Sequence, residues 1–353
     1  MNNRPPADRP ASDLPASDLP ASAPPASDPP TRIRTPAERL TEVIKGNRAP
    51  GLHGVVAVQR GQVILEHYGE GEDFKLNEPL GHVRFTPGTL HDMRSVTKSV
   101  VGLLYGIALA DGHVPEPHET LLPYFPEYPD LAADPRRAAL TVEHALTMTL
   151  GLDWNEDVPY TSAANSEIAM ELAPDRYRYI LEQRIVAEPG VRWSYCGGAS
   201  ALLARLIEKG TGLPLEEYAR AGLFDPLGIT SWEWSTGADD RALAASGLRL
   251  TPRDLLAIGL LVLDEGRDLV PTSWLTAALH PHVRIDEGFH YGYQWYTGDT
   301  WTGAFGNGGQ RLYIAPALNL VVAITAGQYN IPDQPTATTV LNEVILPPLH
   351  PTP

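Results

Sequence analysis

The apolar residues of this chain form short runs near both ends and helically spaced sets between them, and this pattern predicts its secondary structure. Residues 54–59 and 63–68 are rich in valine and isoleucine and flank Arg60-Gly61-Gln62. Two such runs around a short glycine-containing turn are typical of a β-hairpin. Residues 310–314 and 320–325 are a second pair of apolar runs around a proline-containing turn, which predicts two further paired strands.

Helical spacing of apolar residues predicts the remaining elements. Leu40 and Val43-Ile44 place the start of folded sequence near Ala37. A longer apolar helix is predicted after Ser95, with a stop at Asp111-Gly112, where glycine suits a C-cap. Three more helices follow from the same spacing and from boundary residues: residues 199–209, residues 252–264 with Thr251 as N-cap and Pro252 at the first position, and residues 336–346.

This order of elements predicts an α/β fold of the α+β type. Strands near both termini, with helices between them, indicate one antiparallel sheet assembled from the two ends and flanked by helices. The mostly helical stretch from about 115 to 285 is expected to form an inserted lobe within a single domain spanning residues 37–353. Residues 1–36 repeat Pro, Ala, Ser and Asp, which cannot build a core. They are predicted to form a disordered tail, either passive or docking a partner.

Composition narrows the class of protein. The net charge of −16 argues against nucleic acids and anionic membrane surfaces as partners, and a small-molecule substrate is expected instead. The lone Cys196 rules out an intrachain disulfide. The N-terminus shows no apolar core of a signal peptide, and no apolar stretch is long enough to span a bilayer. We therefore expect a cytoplasmic location.

The sequence Ser95-Val96-Thr97-Lys98 at the mouth of the apolar helix is the strongest chemical signal. The chain has four lysines, so wherever a plain positive charge suffices it uses arginine. Lysine, unlike arginine, can lose its proton in a desolvated site and act as a base. Ser95 and Lys98 are three residues apart, so they share a helix face, and the free N–H groups at a helix start favour developing negative charge. A capping serine beside an exposed lysine is the alternative interpretation.

Two further segments carry weaker signals. Tyr195 lies in Trp193-Ser194-Tyr195-Cys196-Gly197, a tight loop before a predicted helix, where its hydroxyl could relay a proton to a leaving group. The glycine-rich segment 303–310 leads into the first C-terminal strand, where a backbone N–H could complete an oxyanion hole with that of Ser95. Taken separately, each is as readily explained by packing or by a simple turn.

The three elements in this order resemble the serine β-lactamase and penicillin-binding-protein superfamily, and most of all its class C-like branch of esterases, D-amino-acid peptidases and 6-aminohexanoate-dimer hydrolases. The resemblance runs from about Leu40 to Leu346. It implies Ser95 as nucleophile, Lys98 as general base and Tyr195 as the tyrosine of a Tyr-x-Asn motif. It is carried by the segments 85–99, 145–154, 189–195, 246–254 and 291–295.

The sequence departs from the family pattern at two positions. Gly197 replaces the asparagine of Tyr-x-Asn, which removes an amide that would hold Lys98 and substrate. The family's Lys-Thr-Gly triplet corresponds to Asn307-Gly308-Gly309, so the cation that would grip a β-lactam or peptide carboxylate is lost, and the backbone of Gln310 becomes the oxyanion donor. Strong β-lactamase or DD-peptidase activity is therefore not expected.

The remaining candidates are assigned to structure or left open. His113 and His118 lie in a Pro/Glu-rich loop without ligand spacing, so neither a metal site nor a cofactor is predicted. Cys196 is read as a packing residue. Three aromatic residues could line an acyl pocket or pack in the core: Trp154, Tyr293 and Trp295.

The sequence thus predicts a serine hydrolase that cleaves an ester or amide through an acyl-enzyme. Two alternatives stay open. The first is a binding or sensor module that keeps the fold but has lost turnover through Gly197 and Asn307. The second is a peptidase acting on D-amino-acid peptides.

Overall fold

A computed structural model describes residues 34–331 and 333–349 of the chain. Residues 1–33 of the predicted tail lie outside this range. Thirteen strands occur in the described residues. They are β1 Leu52–Gln59, β2 Gln62–Tyr68, β3 Glu70–Lys75, β4 Glu78–Arg84, β5 His91–Asp92, β6 Glu233–Trp234, β7 Leu248–Leu250, β8 Val283–Asp286, β9 Phe289–Tyr291, β10 Tyr296–Gly298, β11 Thr302–Gly306, β12 Gln310–Ala315 and β13 Leu320–Ala326.

Eight of these strands form one antiparallel sheet in the order β2-β1-β13-β12-β11-β10-β9-β8. The N-terminal hairpin joins the C-terminal strands through β1 and β13, with Val55 opposite Ile324. The predicted sheet built from both ends of the chain is therefore confirmed, as are both predicted strand pairs. Two small sheets lie beside it, β3-β4 and β5-β7-β6.

Thirteen α-helices accompany the strands in the described residues. They are α1 Pro36–Lys45, α2 Val96–Ala110, α3 Pro129–Ala132, α4 Pro135–Ala138, α5 Val142–Leu146, α6 Ser166–Glu171, α7 Arg176–Glu182, α8 Gly197–Thr211, α9 Leu215–Ala219, α10 Asp225–Leu227, α11 Pro252–Leu263, α12 Thr272–Ala278 and α13 Pro335–Thr339. Short 3₁₀ turns occupy Leu122–Tyr124 and Pro316–Leu318, and π-helical turns occupy Arg220–Phe224 and Val340–Ile345.

The large sheet is buried on both faces because its central strands are apolar at successive positions. Val56 and Val58 of β1 face a core shared with α2, α8 and α11. Val55 and Ala57 face a second core formed with α1 and the C-terminal helical turns. Side chains alternate across a strand, so each strand supplies both cores, and the sheet becomes the middle layer of three.

Helix α2 is the centre of the larger core. Every residue from Val96 to Gly106 is buried, and the helix packs against α8 on one side and β11 on the other. A helix that is enclosed on all sides is expected to carry apolar residues on all of its faces, and α2 does. Its N-terminus therefore opens between the sheet and the helical region, and Ser95 is placed there. Within the described residues, no helix is long and apolar enough to cross a membrane.

Candidate active site

Ser95 precedes the first residue of α2 and takes a right-handed helical conformation, with φ −67° and ψ −6°. Its side chain makes no capping hydrogen bond, which removes the capping interpretation. The preceding residue, Arg94, is in the left-handed region at φ 49°, and the Met93 N–H donates to the Leu248 carbonyl at 2.9 Å. A non-glycine residue in this region is strained and persists when its surroundings fix it. Here the turn presents the serine hydroxyl at the helix start.

Lys98 is buried, and its Nζ contacts three oxygen atoms. It donates to Ser95 Oγ at 3.1 Å, to Glu167 Oε2 at 3.2 Å and to the Ala245 carbonyl at 2.8 Å. A nucleophilic hydroxyl needs a base within hydrogen-bond reach, and Lys98 meets that distance. The structure thus brings the predicted pair together.

Glu167 is a site residue that the sequence analysis missed. It lies in the first turn of α6, is 2% exposed, and its Oε1 accepts a hydrogen bond from Ser246 Oγ at 2.8 Å. A Cβ at Gly197 would lie 2.3 Å from Glu167 Oε2. The carboxylate therefore occupies the space that a side chain at position 197 would take. Beside Lys98, a glutamate stands where the family pattern has an asparagine.

A second buried carboxyl, Glu156, lies behind this pair. Its Oε1 accepts from the Gly197 N–H and from Trp154 Nε1, both at 2.6 Å, and its Oε2 accepts from the Tyr160 hydroxyl at 2.8 Å. Burial, together with repulsion from Glu167, raises the pKa of Glu156 from 4.5 to about 7. Glu156 thereby fixes the start of α8 while carrying a proton over part of the neutral pH range.

Tyr195 lies in the loop before α8 and is 9% exposed. Lys98 Nζ lies 4.9 Å from the centre of its ring, within the range of a cation–π contact. The predicted tyrosine is therefore next to the predicted base. The neighbouring Cys196 is buried, and burial raises the pKa of its thiol far above the ordinary value, in keeping with packing.

The glycine-rich segment forms the hairpin turn between β11 and β12, with Gly306 opposite Gln310. A Cβ at Gly306 would lie 2.4 Å from the Met93 carbonyl, so this strand end abuts the turn that precedes Ser95. The Gln310 side chain exchanges two hydrogen bonds with the Ala326 backbone, at 2.7 and 3.1 Å. Only its backbone is left to serve a substrate.

Asn307, Gly308 and Gly309 make the turn itself. Both glycines have positive φ, 96° and 91°. Asn307 donates from Nδ2 to Asn330 Oδ1 at 2.7 Å and accepts the Asn330 N–H at 2.9 Å. The amide therefore anchors the 328–331 loop where the family pattern has a cation.

A cavity of about 200 Å³ opens over this cluster. Ser95, Glu167 and Asn307 line it, together with a largely apolar wall. The other lining residues are Leu76, Asn77, Arg94, Tyr160, Ile168, Glu171, Leu172, Leu243 and Ser246. The Arg94 guanidinium pairs with Asp92, with Nε 3.2 Å from Oδ2. It also lies over the Tyr329 ring, 4.6 Å from the ring centre.

The three predicted pocket aromatics are outside this lining. Trp154 is buried beside Glu156 and Tyr179. Tyr293 is stacked on His282 and donates to Glu143 Oε1 at 2.7 Å, and Trp295 is fully buried in the core. His113 and His118 lie exposed on the surface.

This combination of sheet, buried helix and Ser–Lys pair is the architecture of the serine enzymes related to penicillin-binding proteins. The family model for β-lactamases matches residues 37–344. The chain therefore belongs to the β-lactamase family, which confirms the predicted family, fold class and enzyme class.

Relatives with known names or structures agree with this membership. The 6-aminohexanoate-dimer hydrolase of Paenarthrobacter ureafaciens is 26% identical over 321 residues, covering 82% of this chain and 76% of that protein. The structure of a candidate 6-aminohexanoate-dimer hydrolase from Bacillus anthracis matches with a TM-score of 0.71 and 20% identity, over 88% of this chain and 81% of that one. EstCE1, a hydrolase with promiscuous acyltransferase activity, matches with a TM-score of 0.72 and 16% identity, over 88% and 98%.

Proposed function

We propose that this protein is a serine hydrolase that cleaves an ester or a linear amide through an acyl-enzyme on Ser95. The observation that carries the proposal is the position of Lys98 Nζ, within hydrogen-bond distance of both Ser95 Oγ and Glu167 Oε2. A lysine in contact with the nucleophile can accept its proton, and the carboxylate beside the lysine stabilises the ammonium that results.

The acylation step follows from these contacts. Neutral Lys98 takes the proton of Ser95 as Oγ attacks the substrate carbonyl carbon, and the carbonyl oxygen becomes an oxyanion. The backbone N–H groups of Ser95 and Gln310 stabilise that oxyanion. Lys98 returns the proton to the leaving group, with Tyr195 as the relay, and the carbon–heteroatom bond breaks. A water molecule, deprotonated by the same base, then attacks the acyl carbonyl carbon, and Ser95 Oγ leaves with the proton that Lys98 returns to it.

Glu167 supports this cycle as a positioning residue for Lys98. The carboxylate, 3.2 Å from Nζ, holds the lysine against Ser95 and stabilises the ammonium that forms when Lys98 accepts the Ser95 proton. In the family pattern the asparagine of Tyr-x-Asn would hold the lysine. Because this chain has Gly197 at that position, the sequence offered no candidate for holding Lys98.

The substrate class follows from the cavity and from the relatives. Apolar side chains of Leu76, Ile168 and Leu243 line the cavity, and Asn307 replaces the cation that would bind a carboxylate. We therefore expect an uncharged acyl group. A relative named as a 6-aminohexanoate-dimer hydrolase, and a structural neighbour described as a hydrolase with promiscuous acyltransferase activity, support an ester or an amide as the linkage. A cytoplasmic location remains a prediction.

The experiment is active-site labelling with a fluorophosphonate probe, read by intact mass, alongside turnover of p-nitrophenyl butyrate. Wild type and the control Ser273→Ala, an exposed serine, should label once and turn over ester. Ser95→Ala should lose both. Turnover that survives in Ser95→Ala would refute the proposal. Labelling without turnover in wild type would favour the binding module.

A further inference from the structure

Four polar side chains meet behind the active site, and the proposed reaction uses none of them. His53 lies in β1, Asp73 in β3 and His91 in β5, and Tyr329 follows β13. His53, Asp73 and His91 are each at most 1% exposed. Buried polar groups carry a desolvation cost, so a cluster of this kind calls for an explanation.

The donor atoms of these side chains face one another. His53 Nδ1 lies 2.9 Å from His91 Nε2, and the Tyr329 hydroxyl lies 3.1 Å from Asp73 Oδ1 and 3.4 Å from His91 Nε2. Asp73 Oδ1 lies 3.7 Å from His91 Nε2. One donor atom from each of His53, Asp73 and His91 lies within 4.8 Å of the others.

Four of the six separations within a four-ligand site can be compared with those of a zinc tetrahedron. Zinc–nitrogen and zinc–oxygen bonds of about 2.0–2.2 Å place neighbouring ligand atoms roughly 3.3–3.6 Å apart. The four separations, from 2.9 to 3.7 Å, bracket that distance. Four of the six ligand–ligand separations are therefore close to those of a zinc site.

The surroundings also prepare the two imidazoles. His91 Nδ1 lies 3.0 Å from the Asp92 carbonyl, so it carries the hydrogen, and the Nε2 lone pair faces His53 Nδ1. His53 is stacked on Phe85 at 4.1 Å, which fixes its ring.

Local charge is compatible with a cation. Arg249 Nε and Arg94 Nε both pair with Asp92, at 2.9 and 3.2 Å. Asp73 Oδ2 has no hydrogen-bond partner, and its nearest cationic atom is Arg249 Nη2 at 3.5 Å. Asp73 therefore pairs with arginine through Oδ2, while Oδ1 faces His91 Nε2.

We propose that His53 Nδ1, Asp73, His91 Nε2 and the Tyr329 hydroxyl form a structural Zn²⁺ site. Two imidazole nitrogens with two oxygen donors suit zinc better than magnesium or calcium, which prefer six or more oxygen ligands. On binding, the proton of His53 moves from Nδ1 to Nε2, and the zinc replaces the hydrogen bond between the two imidazoles. This inference is independent of the proposed hydrolysis.

The site would join segments that frame the catalytic serine. His91 is four residues before Ser95, and Tyr329 belongs to the loop that Asn307 anchors. The Gln328 N–H also donates to the Gly308 carbonyl at 3.0 Å. Zinc at this site would fix the position of the turn before Ser95 relative to the turn before Gln310.

The test is metal binding by the full chain after treatment with a chelator. Co²⁺ titration should give one equivalent with the intense visible bands of tetrahedral cobalt, and Zn²⁺ should abolish those bands. Zn²⁺ in excess over its Kd should also raise the Tm, because a ligand that binds only the folded state stabilises it. Asp73→Asn and His53→Gln should weaken Co²⁺ binding by at least about 100-fold.

The control is His118→Gln, which removes an exposed histidine and should bind Co²⁺ as wild type does. Circular dichroism checks that each variant is folded, and the wild-type titration decides the matter if the variants are not. The proposal would be overturned if wild type bound no Co²⁺ or bound it with the weak bands of octahedral coordination. It would also be overturned if folded Asp73→Asn bound Co²⁺ with the same affinity as wild type.

Discussion

Lys98, Glu167 and Gly197 form one unit at the scale of single residues. The lysine touches the nucleophile, the glutamate touches the lysine, and the glycine leaves the space that the glutamate occupies. Removing one member of a buried ion pair is costly because the other charge stays buried without a partner. Substitutions at these positions should therefore couple strongly.

Lys98→Arg should lose activity although it keeps the positive charge. Arginine cannot give up its proton at neutral pH, so it cannot act as a base. We expect turnover of p-nitrophenyl butyrate to fall by about 10²–10⁴-fold, the usual contribution of a general base. Lys209→Arg, at a surface ion pair with Glu127, is the control and should leave turnover unchanged. Substantial activity in Lys98→Arg would exclude lysine as the base.

A double-mutant cycle can test whether Glu167 and a side chain at position 197 compete for the same space beside Lys98. Gly197→Asn alone should destabilise the fold, because its Cβ would meet Glu167 Oε2 at 2.3 Å. Glu167→Ala alone should lower turnover and leave Lys98 without its carboxylate. In the double variant, the introduced amide gains the vacated space and can accept from Lys98, so we expect a coupling free energy above about 1 kcal/mol. Additive effects on unfolding would show that the two side chains do not share one space.

At the scale of elements, α2 determines where the site can be. It is enclosed by α8, by β11 and by Trp274 of α12, whose Nε1 donates to the Gly102 carbonyl at 2.9 Å. The helix was predicted from Ser95 to Asp111 and runs from Val96 to Ala110. The predicted N-cap Thr251 is also confirmed, with a capping box to Asp254. By contrast, the predicted closing helix ends in a π-helical turn at Val340–Ile345.

Gly106→Ala should measure how tightly α2 is packed. The new Cβ would lie 2.0 Å from the Trp274 ring, so the indole must move. Overpacking of this kind costs about 1–3 kcal/mol, which outweighs the helix propensity gained by replacing glycine. Gly222→Ala is the matched control, because its nearest neighbour would be 4.0 Å away. Chemical denaturation should show a lower free energy of unfolding for Gly106→Ala, and an unchanged or higher value would contradict this packing.

At the scale of the whole molecule, buried carboxyls link the fold to pH. Burial raises the pKa of Glu156 to about 7 and that of Glu171 to about 8, both from 4.5. Between the unfolded and folded values the native state binds more protons than the unfolded state. Stability contributed by these groups is therefore present below about pH 4.5 and is lost as pH rises towards 7 and 8.

Glu156→Gln should flatten part of this dependence. Wild type should lose free energy of unfolding between about pH 5 and pH 8, and the share due to Glu156 should be on the order of 1–3 kcal/mol. The variant keeps a hydrogen-bonding side chain but cannot ionise at position 156. Its free energy of unfolding should therefore fall less than that of wild type over the same pH range. Glu188→Gln, at an exposed position, should follow the wild-type curve. Identical pH dependence in wild type and Glu156→Gln would show that Glu156 does not titrate in this range.

The sequence by itself determined the features that depend on neighbours along the chain. Ser95 and Lys98 share a helix face because three residues make nearly one turn, and the two hairpins are set by apolar runs around short turns. The pairing of the chain ends followed from their strand pattern and is confirmed by β1 and β13.

The tertiary structure alone decided which distant side chains meet. Glu167 reaches Lys98 across 69 residues of sequence, and nothing near it marks it as a site residue beyond the helix cap at Asn165. His53, Asp73 and His91 come together because β1, β3 and β5 pack side by side, a contact that no local spacing encodes. Local periodicity specifies elements, whereas the chemistry between elements depends on how their faces pack.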